Sequence, residues 1–156
     1  MNTYSRTTRW TTVLSMTAIL ATATFPVLAE PVPEGPVAVS DALHTAIASG
    51  DVESLQEILD PEVLIFESGG VESSLEEYAS HHMHSDMKFM EEMEREVLDR
   101  NVFEAGNMAV VTTRSRLNGS FRDKELDLNS TETLVLARTD GVWKVRHIHW
   151  SSAAAN

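Results

Sequence analysis

From about residue 94 onward the chain reads as one strand after another, and this constrains the fold more than any other feature. Residues 97–104, 108–117, 125–138 and 142–151 are runs rich in β-branched, aromatic and alternating apolar residues. Gly106-Asn107, Asn118-Gly119 and Asp140-Gly141 punctuate them, the last being a hairpin signal. Breaks this short impose antiparallel neighbours, because a parallel crossover needs about a dozen residues. The first half reads differently. Ser40 is positioned to cap a helix that buries Ala42, Leu43, Ala46 and Ile47 and ends at Gly50. Asp51 caps a second helix, with Val52, Leu55, Ile58 and Leu59 inward, which Pro61 stops. Residues 63–66 form a compact strand closed by Gly69-Gly70. Ser73 and Glu76 form a capping box that opens a third helix reaching about Met93. Helices first and antiparallel strands afterwards predict an α+β domain, its N-terminal helices packed on one face of a curved, mainly antiparallel β-sheet.

The first 29 residues read as a secretory signal peptide. Arg6 and Arg9 precede an apolar, small-residue stretch, and Val27-Leu28-Ala29 follows Pro26 as the cleavage site. The apolar run is shorter than the roughly 20 residues of a spanning helix, so no stable membrane anchor is expected. Cleavage leaves ten basic residues against 24 acidic ones, a charge of −14 on 127 residues. A surface this acidic argues against a nucleic-acid partner, since phosphate binding needs a basic face. The absence of cysteine excludes disulfides, thiolate metal sites and Cys nucleophiles. The expected organisation is therefore an export segment 1–29, an extended Pro-rich lead-in 30–37, one domain 38–152 and a short polar tail 153–156. The expected location is periplasmic or secreted.

The order of elements, with Ala48-Ser49-Gly50-Asp51 after the opening helix, Val63-Leu64-Ile65-Phe66-Glu67, and the ending Asp140-Gly141-Val142-Trp143-Lys144-Val145 followed by His147-Ile148-His149-Trp150-Ser151, resembles the nuclear-transport-factor-2-like superfamily. The resemblance is to its SnoaL-like and ketosteroid-isomerase-like branch, over roughly residues 38–152. It implies a cone-shaped domain with a pocket between the helices and the concave sheet face, and dimerisation through the sheet. The superfamily includes isomerases, cyclases, dehydratases and binding subunits, so the chemistry must come from the site.

Five of the six histidines fall in His81-His82-Met83-His84 and His147-Ile148-His149. Strict strand alternation puts His147 and His149 on the face of Trp143 and Val145, which would be the pocket interior. Two imidazoles spaced this way can converge on one ion. Helical spacing places Leu75, Tyr78, His82, Asp86, Phe89 and Met93 on one inward stripe, leaving His81 and His84 in solvent, whereas a helix break near Ser85 would bring His81 in instead. Glu132 shares the apolar side of its strand and needs a partner, either a histidine or metal, or Arg114 or Arg116 on the next strand. Glu67 ends the first strand at the pocket rim. Met83, Met87 and Met90 either fill the core or, with histidine, favour copper.

Three readings follow. In the first, an exported pocket domain binds copper or zinc through His82, His147 and His149, with Glu67 or Glu132 completing or orienting the set. In the second, an isomerase, lyase or cyclase acts on a small apolar substrate, with His82 or Asp86 as base and Tyr78, or a protonated His147 or His149, stabilising an oxyanion. In the third, the domain binds a small ligand or a protein partner without chemistry, its His and Tyr merely lining the cone. None requires an organic cofactor, and each is compatible with a homodimer.

Overall fold

Pro36 starts the first helix four residues before Ser40. The computed structural model describes residues 33–155, and in it α1 spans Pro36–Ser49. Proline is suited to a first turn because its missing N–H would have had no partner there. Ser40 is consequently not a cap but a buried position on the inner side of α1, beside Val39, Leu43 and Ile47. Gly50 ends the helix in the left-handed region at φ 70°, and the Asp51 N–H returns to the Ala46 carbonyl at 2.9 Å. Asp51 then caps α2, Val52–Ile58, by accepting from the Ser54 N–H at 3.0 Å. The cap of α3, Leu75–Ser80, is Ser74 rather than Ser73, and it accepts from the Glu77 N–H at 3.1 Å. The predicted export segment and its cleavage site lie outside the described residues.

The remaining elements are β1 (Leu59–Glu67), β2 (Gly70–Glu72), α4 (Met83–Glu91), β3 (Met93–Ala105), β4 (Met108–Phe121), β5 (Lys124–Thr139) and β6 (Val142–Ala154). The strands form one six-stranded sheet in the order β2-β1-β6-β5-β4-β3, antiparallel except for the β1–β6 pair. This is the α+β arrangement expected. Asn118-Gly119 does not close β4. The strand continues to Phe121, and Arg122 and Asp123 make the turn, both at positive φ (52° and 61°). Gly119 has a different task. A Cβ there would lie 2.1 Å from the Glu92 carbonyl oxygen, so glycine is what lets the end of α4 close onto β4. Ala153 and Ala154, expected in a tail, pair with Asn129 and Leu128 as the end of β6.

Helices α1, α2 and α4 cover one face of the sheet. Leu43 and Ile47 of α1 pack with Val111, Leu134, Leu136, Val145 and Ile148, all but solvent-free. Burying each such side chain contributes roughly 1.5–3 kcal/mol. Met83 and Met87 are part of this core, so these two fill space rather than offering a thioether stripe to copper.

Candidate functional site

One residue in β6 decides which histidines can reach the pocket. Val135 pairs with His147 but Leu136 pairs with Val145, so Arg146 is an unmatched bulge. The bulge reverses the alternation. Trp143 and Val145 face inward before it, and Ile148 and Trp150 face inward after it. His147 and His149 are therefore on the outer face, contrary to the strict alternation read from sequence. Trp150 takes the inward place instead.

The third helix is also interrupted. It ends at Ser80, His81 is its C-cap, and His82 is the N-cap of α4. His82 is thus not on an inward stripe: its side chain is 60 % exposed and pairs with the buried Glu72. The pairing has a reason, because a carboxylate buried like Glu72 needs a cationic or donor partner. That hydrogen bond holds the His82 imidazole above its ordinary value. Tyr78 and Asp86 still meet across the break. The Tyr78 hydroxyl, itself buried, donates to Asp86 Oδ2 at 3.0 Å. Burial, then Asp86, pushes the Tyr78 phenol far up, so it stays a donor.

Asp86 lines a cavity of about 90 Å³ between α1, α4 and the inner sheet face. Ile47, Phe89 and Met90 supply its apolar side; Arg95, Glu132 and Trp150 lie on the sheet side. Burial and the nearby Glu67 carboxylate raise Asp86 from 3.8 to about 6. Glu67 is at the rim, since Val63 and Ile65 point inward and position 67 shares their side; desolvation raises it too.

Glu132 sits at the deep end, 5 % exposed. Its Oε2 accepts from the Trp150 indole N–H at 2.8 Å and lies 2.7 Å from His44 Nε2. His44 reaches this oxygen from α1, so the carboxylate is approached from both the helix side and the sheet side. Burial works to raise the Glu132 carboxyl, but His44, Trp150 and Arg95 outweigh it and hold it below its ordinary value. Glu132 is an anion, and among the described residues its Oε1 has no hydrogen-bond partner. Arg114 and Arg116 do not serve it, because they alternate to the outer face of β4. Arg116 pairs there with Asp127.

Of the residues singled out in the sequence, the structure gathers Asp86, Glu67 and Glu132 around one cavity, with Tyr78 bonded to Asp86. It places His82 at the surface beside Glu72, and His147 and His149 behind the sheet. Among the described residues no group of three His, Asp or Glu side chains could hold a metal ion. The expected set of His82, His147, His149, Glu67 and Glu132 is therefore dispersed. Sequence reading missed His44 and Arg95. His44 was legible in principle: it stands four residues after Ser40 and three before Ile47, on their side of α1. Arg95 carried no signal, since it lies amid the acidic run Glu91, Glu92, Glu94 and Glu96.

The SnoaL-like domain family matches residues 37–155. The chain belongs to that family. Among solved structures, it is similar to a candidate ketosteroid isomerase from Shewanella frigidimarina NCIMB 400, at 36 % identity and TM-score 0.71, over 72 % of this chain and 91 % of that one. The CaMKII hub of S. rosetta matches at 27 % identity and TM-score 0.65, over 78 % and 100 % of the two chains. An NTF2-like superfamily protein from Salmonella enterica shares the fold at 17 % identity and TM-score 0.63, over 76 % and 88 %. A search of curated proteins finds no match. Together these place the SnoaL-like domain in the NTF2-like superfamily, on the branch that includes ketosteroid-isomerase-like proteins.

Proposed function

We propose that this SnoaL-like domain binds a small carbonyl acid and moves a proton on it, with Asp86 as the base. The observation that carries the reading is the opposition of groups around one cavity. At one side is a carboxylate whose pKa of about 6 suits proton abstraction near neutrality. On the sheet side is the half-buried Arg95 guanidinium, together with the unpartnered Glu132 Oε1. Arg95 takes the anionic end or a developing enolate oxygen. Glu132 Oε1 accepts from a substrate hydroxyl or amine. Tyr78 engages one Asp86 oxygen and leaves the other uncommitted. A cavity of about 90 Å³ is well below the ~300 Å³ lower end of drug-sized pockets, which favours a small acid over a polycyclic substrate. The likeness to a candidate ketosteroid isomerase agrees with proton transfer as the reaction type.

The test is hydrogen–deuterium exchange at the carbon next to the carbonyl in a panel of small oxo acids, followed by NMR in D2O. The wild-type protein should accelerate exchange in at least one compound. Asp86→Asn should bind that compound and not exchange it, whereas Arg95→Met should lose binding. Exchange that survives in Asp86→Asn would refute the assignment of the base. The N-terminal segment supports an exported protein, checked by finding Glu30 as the N-terminus of material recovered from the periplasm or medium. Self-association is supported by a separate observation. Phe103 and Met108, at the β3–β4 turn, are 66 % and 46 % exposed, and neighbours of this fold include hub and association domains. Light scattering at rising concentration should show a mass above that of one chain.

A further inference from the structure

The bulge that removes His147 and His149 from the pocket leaves them together on the opposite face of the sheet. Both rings pack edge-on against Phe66 of β1, at 5.0 and 6.2 Å between centroids. His147 Nδ1 lies 2.8 Å from the Leu64 carbonyl oxygen. A carbonyl can only accept, so Nδ1 carries the proton and Nε2 keeps its lone pair in the neutral ring. A backbone carbonyl on the far nitrogen is also what orients and strengthens an imidazole as a metal ligand. His149 is exposed, two residues further along the same face. On β5 the residues opposite the pair are Val135 and Thr133, and on β1 they are Leu64 and Phe66. None of these four carries a charge that would repel a cation. Strand rise sets the two Cα atoms about 7 Å apart, a span that two imidazoles bound to one ion can cover.

We propose that His147 and His149 form a two-imidazole surface site for a borderline divalent transition ion, Cu(II) foremost. Imidazole nitrogen suits copper and zinc. With two protein donors, the other coordination positions are left to water, so the site is open and exchangeable rather than a closed structural centre. It shares no residue with the pocket, so it stands or falls independently of the proton-transfer reading.

The experiment titrates the tag-free protein with Cu(II) in a non-coordinating buffer, read by calorimetry and by electron paramagnetic resonance. One ion per chain is expected, with hyperfine structure from two imidazole nitrogens. His149→Ala should weaken binding by at least the roughly tenfold that loss of even an outer-shell partner costs. A His81→Ala/His84→Ala double variant should bind as the wild type does. His147→Ala should also weaken binding; should it fail to fold, the exposed His149 carries the test alone. Unchanged affinity in His149→Ala, or paramagnetic broadening centred on His81, His82 and His84, would overturn the proposal.

Discussion

Replacing Asp86 by asparagine should make the protein more stable at neutral pH. The sign follows from linkage. An acid whose folded pKa is raised is favoured in its protonated form by the fold. Its stabilising share is fully present below the unfolded value and is lost as pH rises through the folded one. For Asp86 that window runs from 3.8 to about 6. At about 1.36 kcal/mol per pKa unit, the gap sets a ceiling of about 3 kcal/mol. The carboxylate is only partly enclosed, so solvent screening brings the expected loss down to about 1–2 kcal/mol. Asparagine is nearly isosteric, retains an oxygen for the Tyr78 hydroxyl, and never ionises. Urea unfolding at intervals from pH 4 to pH 8 should therefore give curves that coincide near pH 4. They should then separate, with Asp86→Asn the more stable by about 1–2 kcal/mol at pH 8. Parallel curves, or an asparagine variant less stable at pH 8, would show that burial does not strain this charge. A group that costs stability where the protein works is what a functional carboxylate should look like.

Glu132→Ala leaves the Trp150 N–H and His44 without their buried partner, and should lower stability by about 2–4 kcal/mol in chemical denaturation. Gly119→Ala forces a methyl group to 2.1 Å from the Glu92 carbonyl, so the end of α4 must shift; a lower Tm and altered amide shifts for residues 90–95 should accompany it. The His82 imidazole should titrate above 6.5 by NMR, and Glu72→Gln should bring it down. Its pairing stabilises fully below 6.5 and fades as pH rises through the higher folded value, so stability changes at higher pH should not depend on Glu72.

Much of the fold was legible in the sequence because it rests on local rules. The turn residues of the strand half fixed antiparallel pairing, and Asp51 and Gly50 marked helix ends through backbone geometry that those side chains favour. Errors of one to five residues, at Ser40, Ser73 and Asn118-Gly119, came from several cap or turn candidates lying within a few residues of one another. The site was legible only where periodicity was undisturbed. Glu132 and Asp86 follow their apolar neighbours inward. His147, His149 and Trp150 do not follow the expected parity, because Arg146 inserts one unmatched residue. No local pattern announces such a bulge, since either parity of β6 offers apolar residues to a core.

The sequence by itself determined an α+β chain with an acidic surface and no thiol chemistry. It also supplied the carboxylates that a pocket would have to accommodate. Only the tertiary structure decided which of them share a cavity. It brought His44 from α1 and Arg95 from β3 to Glu132, residues separated by dozens of positions. It broke the helix at His81 and His82, where Glu72 draws the imidazole outward, and it turned the paired histidines to the back of the sheet. Propensity and capping act over a few residues and can be read along the chain. The neighbours that set a pKa or leave a carboxylate oxygen unpaired are chosen by packing, where a single bulge exchanges one face for the other.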